Sequence, residues 1–308
     1  MRISLAPLLF LGFAAVPARS EPFSIDTIGN FKQTAIYIEA SGDKSKTSGT
    51  GFLLNYATAP AGVEYQFLVT ASHVLASAGA KRLLLLTKYS NYDKDSPGSK
   101  SAAKILQSEV LLYDDAGRRL WSTAPDESDV AVVFVGIKGK RGPRNISSDV
   151  QGDIAIANVA LESSNIQTDR IPTDRLPDIF YFGYPRGLYS ADNLQPFARR
   201  CTIALDSVAG LPVEGIQPDE FLIDCPALPG DSGAPVYAHN VLVRENGVIF
   251  VDCRLIGVLL GQFEASQAFD LPDETIIKKY AYGFSRIAPA KFIISAIQEF
   301  LKLHPGAE

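Results

Sequence analysis

From Glu21 onward the chain is a succession of short apolar or alternating runs, each ended by Gly, Pro, Asn or Asp. TAIYIEA (34–40), TGFLLNY (50–56), YQFLVTA (65–71), DVAVVFV (129–135), DIFYFGY (178–184) and CRLIGVLL (253–260) are examples. Runs of this length and period predict β-strands, and their close succession predicts an antiparallel, all-β architecture. A parallel α/β sheet would need a helix between strands, and few such helices are visible. One segment breaks the pattern. In PAKFIISAIQEFLKL (289–303), Phe292, Ile293, Ile297 and Phe300 recur at helical spacing behind a proline suited to a first turn, so a helix closes the chain.

Between the strand-like runs, KGKRGPRNISSDVQGD (138–153) is polar, basic at its start and rich in breakers, as expected of a crossing between two halves. The division this implies is residues 21–140 and 141–308. YSNYDKDSPGSKS (89–101) reads as an exposed loop. Ahead of all this, residues 1–20 carry Arg2, an apolar stretch over 3–16 and the small-x-small site Ala18-Arg19-Ser20, the pattern of a cleaved secretory leader. A stretch of about 14 apolar residues broken by Pro7 is short for a bilayer, which needs roughly 20. The mature chain is therefore expected to be secreted or periplasmic and to keep no membrane anchor.

Composition adds exclusions. The 308 residues carry 29 Lys and Arg against 34 Asp and Glu, and losing Arg2 and Arg19 with the leader makes the balance more acidic still. No basic face invites nucleic acid. Three cysteines, Cys201, Cys225 and Cys253, allow one disulfide and one free thiol in an oxidising compartment. There is neither a Cys-x-x-Cys pair nor clustered histidine, so no metal site is expected.

The candidate chemistry begins at LPGDSGAPV (228–236), where Ser232 stands between Asp231 and Gly233, with Gly230 two places earlier. A serine so flanked sits on a tight turn, and the backbone N–H groups of Gly230 and Ser232 can point into one small space, as an oxyanion requires. Alone, Gly-Asp-Ser-Gly is not diagnostic, since glycine-rich acidic turns are common. A base is also needed. Of the three histidines, His304 lies in the terminal tail and His239 follows the serine's strand, whereas His73 ends an apolar strand among small residues. A carboxylate must fix the imidazole tautomer. Asp129 heads an otherwise apolar strand, where a charge is costly unless paired.

The three segments occur in the order His, Asp, Ser, at separations of 56 and 103 residues. TASHV, DVAVV and GDSGAP resemble the active-site motifs of the chymotrypsin- and trypsin-like serine proteases. SGTGFLL (48–54), FGYP (182–185), IGVLLG (256–261) and YGFSRI (282–287) add to the likeness in the same order. A stand-alone bacterial trypsin-like peptidase is the nearest likeness, and the HtrA-like protease domain is also similar. The resemblance implies two antiparallel Greek-key β-barrels with a C-terminal helix. His73 and Asp129 would come from the first barrel and Ser232 from the second. It further implies a serine endopeptidase acting on polypeptide substrates through an acyl-enzyme, with no cofactor. Ser232 would be the nucleophile, His73 the base and Asp129 its orienter, with the oxyanion hole at Gly230 and Ser232.

The same resemblance assigns substrate contacts to Pro226, Ala227, Leu259, Leu260, Gly261 and Gly283, a set without charge that argues against Lys or Arg before the scissile bond. Asp224 is the nearest acidic residue. Two departures stand out: Ala234 replaces a glycine, and no basic residue precedes an Ile-Val-like start between Glu21 and Gly51 that would supply Asp231 with an amino-terminal partner. Because CTIALDSV and FLIDC read as neighbouring strands, Cys201 and Cys225 are expected to pair, leaving Cys253 free. The rival reading is a catalytically silent member of the same fold, serving as a binding or scaffold protein. An α/β-hydrolase is disfavoured, because its serine lies between strand and helix and its histidine comes last.

Overall fold

The computed structural model describes residues 31–42, 45–58, 63–76, 79–89, 104–125, 128–137, 146–148, 161–168, 177–189, 194–209, 216–243, 249–270 and 275–305. The expected leader, residues 1–20, lies outside these, as does most of the crossing at 138–153 and of the loop at 89–101.

Two sheets account for the strands. In the first, β1 (Ala35–Ser41), β2 (Lys46–Thr58) and β3 (Val63–Ala71) form a meander, and β4 (Arg82–Tyr89) returns beside β1. The resulting order β3-β2-β1-β4 is a Greek key. Four more strands, β5 (Lys104–Leu111), β6 (Trp121–Thr123), β7 (Val130–Ile137) and β8 (Ile146–Ser148), extend it to β6-β7-β3-β2-β1-β4-β5-β8. A two-residue strand, β9 (Leu161–Glu162), pairs in parallel with β2. The first sheet therefore continues past residue 140, where the sequence pattern divides the chain.

The second sheet is built from β10 (Asp178–Gly183), β11 (Phe197–Cys201), β12 (Ile203–Leu205), β13 (Phe221–Ile223), β14 (Pro235–Val243), β15 (Ile249–Asp270) and β16 (Thr275–Pro289). Its order is β11-β10-β14-β15-β16-β13-β12. The expected all-β class, with antiparallel sheets and a closing helix, is what the chain adopts.

Two short stretches of helix matter. A single turn, α1 (Ser72–Ala76), follows β3 directly, and α2 (Lys291–Leu303) closes the described chain. Pro289 ends β16 opposite Gly257 rather than opening the helix, because Ala290 N–H is held by Ile256 O and the helix begins only beyond it. α2 buries Phe292, Ile293, Ala296, Ile297 and Phe300. The Phe300 ring lies 5.5 Å from both Phe67 on β3 and Phe134 on β7. The helix follows the second sheet in sequence yet packs on the first, so one apolar core runs through both. Burying a phenylalanine of this kind is worth about 3–5 kcal/mol against alanine.

Cys201, at the end of β11, and Cys225, just past β13, are joined in a disulfide, and Cys253 is free and buried. The bridge closes a 24-residue separation. Replacing both Cys201 and Cys225 by Ser should lower unfolding stability by about 3 kcal/mol in a denaturant melt, following the loop entropy released in the unfolded chain. An unchanged melt would show that the bridge constrains nothing.

Candidate active site

β3 is buried from Phe67 to Ala71 and runs directly into α1, which places His73 at the sheet's rim, half-buried. β7 lies next to β3, with Ala71 opposite Val130, so the residue preceding β7, Asp129, arrives beside α1. Three hydrogen bonds then converge on one carboxylate. His73 Nδ1 lies 2.6 Å from Asp129 Oδ2, His73 N–H donates to Oδ1 at 2.9 Å, and Ser72 Oγ donates to Oδ1 at 2.5 Å. Ser72 N–H also donates to the Asp129 carbonyl at 3.1 Å, fixing the backbone of both segments. With Nδ1–H given to the carboxylate, Nε2 is the ring nitrogen left to take a proton.

Burial alone pushes the Asp129 carboxyl up, but the hydrogen bonds and electrostatic attraction of His73, joined by Ser72, outweigh it and hold the carboxyl below the ordinary aspartate range. The carboxylate is thus the resident form.

Ser232 enters from the second sheet on the turn between Cys225 and β14. Asp231 N–H to Leu228 O and Ala234 N–H to Asp231 O, both 2.9 Å, tighten that turn. Gly230 has φ +98° and Gly233 φ +88°, conformations that favour glycine. A Cβ on Gly230 would lie 2.5 Å from Tyr184 O, and one on Gly233 would collide with Thr50 O and Thr70 Oγ1. Gly233 N–H is held by Leu259 O at 2.7 Å.

Thr50, fully buried on β2, ties this turn to the first sheet. Its N–H donates to Ser232 O and its Oγ1 donates to Gly230 O, both at 2.8 Å. The same Oγ1 accepts from Tyr184 N–H at 3.0 Å. A Cβ built on neighbouring Gly49 would stand 2.9 Å from Val74, the residue after His73, and 3.1 Å from Ser232 O. The serine's backbone and the histidine's turn are thereby separated by little more than one residue's width.

The turn before Ser232 also has a defined direction. Pro229 O accepts a hydrogen bond from Arg186 N–H, in the turn Pro185–Gly187 where Arg186 has φ +54°. In a trans peptide the following N–H points opposite to the carbonyl, so Gly230 N–H faces away from that turn. The Ser232 hydroxyl donates to Leu260 O at 3.0 Å. Leu260 is the extra residue of a bulge between Leu259 and Gly261, which turns its carbonyl toward the serine.

Among the residues expected to contact substrate, Gly261 (φ +156°) and Gly283 (φ +81°) face open space, since an added Cβ at either meets nothing within 4 Å. Pro226 is exposed, Ala227 is 3% exposed, and Leu260 is buried beside the serine. Leu259 differs from the expectation. Its side chain is fully buried in the second sheet's core, and its N–H and C=O are taken by Ala234 and Gly233, so it supports the turn instead of presenting a surface. His239 and His304 lie elsewhere, against Phe180 and Phe300 respectively. Among the described residues no cluster of His, Cys, Asp and Glu could hold a metal ion, and no helix is long and apolar enough to cross a membrane.

Sequence reasoning missed Thr50 as a site-building residue. The signal was a hydroxyl between two glycines, in Gly49-Thr50-Gly51.

Two antiparallel sheets that meet where Thr50 ties the Ser232 turn to the sheet carrying the His73–Asp129 pair fit the trypsin-like serine protease fold. The sequence profile of the trypsin-like peptidase domain matches residues 49–243, and the chain belongs to that family. No curated protein matches it. Similar solved structures include the active form of the Rv3671c protease from M. tuberculosis, at 15% identity and TM-score 0.43, covering 97% of this chain and 94% of that one. The apo protease domain of MamO from Magnetospirillum magneticum is 13% identical, with TM-score 0.43 and coverage of 87% and 97%. The scabies mite inactivated protease paralogue S-I1 is 13% identical, with TM-score 0.45 and coverage of 89% and 97%. At scores this low these likenesses bear on no residue of this chain.

The lowered Asp129 pKa makes a pH prediction. A carboxyl held down in the folded state contributes stability that is fully present above the unfolded aspartate value near 3.9, and that is lost as pH falls through the folded value. The melting-temperature advantage of the native chain over Asp129→Asn should therefore be full at neutral pH and shrink on acidification below about pH 4. An advantage independent of pH would contradict the pairing.

Proposed function

We propose that the chain is a secreted serine endopeptidase in which His73, Asp129 and Ser232 act as a catalytic triad. The observation that carries this reading is the doubly held Asp129–His73 pair, through the ring at 2.6 Å and the backbone N–H at 2.9 Å, set against a serine turn pinned to the same sheet. In this reading Ser232 Oγ attacks the scissile carbonyl carbon while its proton passes to His73 Nε2. Asp129 stays ionised and stabilises the imidazolium. Gly230 N–H, turned away from Arg186, and Ser232 N–H receive the developing oxyanion. The tetrahedral intermediate collapses as His73 returns the proton to the leaving amine, leaving Ser232 acylated, and water then repeats the sequence. Export to the periplasm or beyond rests on the leader at residues 1–20.

One observation favours a second reading, a silent binding protein on the same fold: the single hydroxyl proton of Ser232 is directed at Leu260 O and must turn to reach His73. A serine-directed phosphonate separates the two. Stoichiometric labelling at Ser232 is expected, abolished in Ser232→Ala and reduced by roughly 10³-fold or more in His73→Ala, with peptide hydrolysis lost in parallel. A folded chain that stays unlabelled would establish the silent reading.

The substrate side chain before the scissile bond is proposed to be uncharged and apolar. Pro226 and Ala227 bring no charge, and Gly261 and Gly283 leave room. A buried cation there would go unpaired at a cost of several kcal/mol. A cleavage profile on a mixed peptide library should show apolar residues at that position; dominance of Lys or Arg would overturn this and point to Asp224.

A further inference from the structure

Immediately before the serine lies a carboxyl that the mechanism does not use. Asp231 is 1% exposed. Its Oδ2 accepts from Leu228 N–H at 3.0 Å and from the Tyr181 hydroxyl at 3.4 Å. Its Oδ1 is buried and, among the described residues, has no hydrogen-bond partner. What covers Oδ1 is the backbone of β10 at Gly183, where an added Cβ would lie 2.5 Å from that oxygen. No cation lies within ion-pair distance among the described residues. Arg199 on β11, opposite Tyr181 in register, acts on Asp231 only through space. Tyr181 and Arg199 are the titratable groups that bear on it.

An ionised carboxylate in this position would hold one buried oxygen against the Gly183 backbone with no donor among the described residues, which is costly. A carboxylic acid would leave a lone hydroxyl in place of a lone charge. Oδ2 would keep both of its contacts. Burial pushes the carboxyl up, and the Leu228 N–H, the Arg199 charge and the Tyr181 hydroxyl oppose this without reversing it.

We propose that Asp231 works as a neutral carboxylic acid, with Tyr181 as its positioning partner, and that this pair holds the Gly230–Ser232 turn with no cation among the described residues. Both are positioning residues, acting on the backbone N–H groups of the turn. The inference builds on the peptidase reading for its consequence, but the state of the carboxyl can be read independently of activity.

The decisive measurement is the ¹³Cγ titration of Asp231 in the full chain, with Asp231→Asn identifying the resonance. The carboxyl is expected to keep its proton above the ordinary aspartate range near 4. Tyr181→Phe should raise the midpoint further, since a donor to the charged form is lost. A carboxyl that ionises within that range, or a midpoint indifferent to Tyr181→Phe, would overturn the proposal. The second readout is phosphonate labelling of Ser232. Asp231→Asn, which copies the neutral acid in shape, should label within about threefold of the native rate, and Asp231→Ala should fall by about tenfold or more. An Asn variant as slow as the Ala variant would also overturn it. A native chain that does not label counts against the peptidase reading, and the titration alone then decides the state of Asp231.

Discussion

One buried threonine connects the two sheets where the chemistry would occur. Thr50 N–H, Oγ1 and C=O all have partners: Ser232 O, Gly230 O with Tyr184 N–H, and Thr70 Oγ1, each at 2.8–3.0 Å. These bonds bind four separate segments of chain at a point that water does not reach. In so dry a place they are stronger than at a surface, and each group left unpaired would cost about 1–3 kcal/mol. The serine turn has no long strand or helix of its own to orient it. Its orientation relative to β2 is borrowed from this residue.

The same seam explains the spacing of small residues around it. Gly49 admits Val74 and Ser232 O, Gly183 admits the Asp231 carboxyl, and Gly233 admits Thr50 O. Each marks a place where backbone meets backbone or a carboxyl without room for a Cβ. The sheets therefore approach through main chain rather than through interdigitating side chains, and hydrogen bonds rather than apolar area set their mutual position here. Apolar burial takes over a short distance away, where Phe31 and Tyr237 lie 4.6 Å apart and Thr34 meets the Tyr237 hydroxyl at 2.7 Å.

Much of the fold was legible because burial writes itself into the sequence locally. DVAVVFV reads as a strand covered on both faces, and β7 is buried at every position but its last. The order and flanking residues of His73, Asp129 and Ser232 were legible for the same reason, since each sits at a strand end or a glycine turn. Other features left no local trace. β15 and β16 run on through GQFEASQAFD (261–270) and TIIKKYAY (275–282), where polar residues interrupt any apolar run, so only the segment at 253–260 read as strand. β8 and β9 are too short to carry a pattern, and their membership in the first sheet is decided by partners distant in sequence. Thr50 bonds to residues 134 and 180 positions away, which no window along the chain can reveal. Leu259 was assigned a substrate contact only through the resemblance, and it is its pairing with Gly233 and Ala234, distant in sequence, that buries it in the second sheet.

The position of Asp129 shows how far such dependence extends. The carboxylate is held at the start of β7, and β7 in turn is covered by α2 through the stacked Phe134 and Phe300 rings. Ser122 on β6, the strand beside β7, donates to Ala296 O of the same helix at 2.6 Å, so polar and apolar contacts agree on the helix's register. α2 leaves the second sheet directly after β16, whose partner β15 carries the Leu260 carbonyl that receives the Ser232 hydroxyl. The chain thus closes a loop. The second sheet presents the serine, and the helix that extends from it braces the strand bearing the aspartate. A displacement of one sheet against the other would have to break the Thr50 bonds to the serine turn and shift the helix on β7 at once. Packed phenylalanine rings resist such a displacement because sub-ångström gaps already forfeit much of their contact energy. The distance between the two halves of the candidate site is therefore held by the Thr50 hydrogen bonds and, behind them, by a core that contains neither His73, Asp129 nor Ser232.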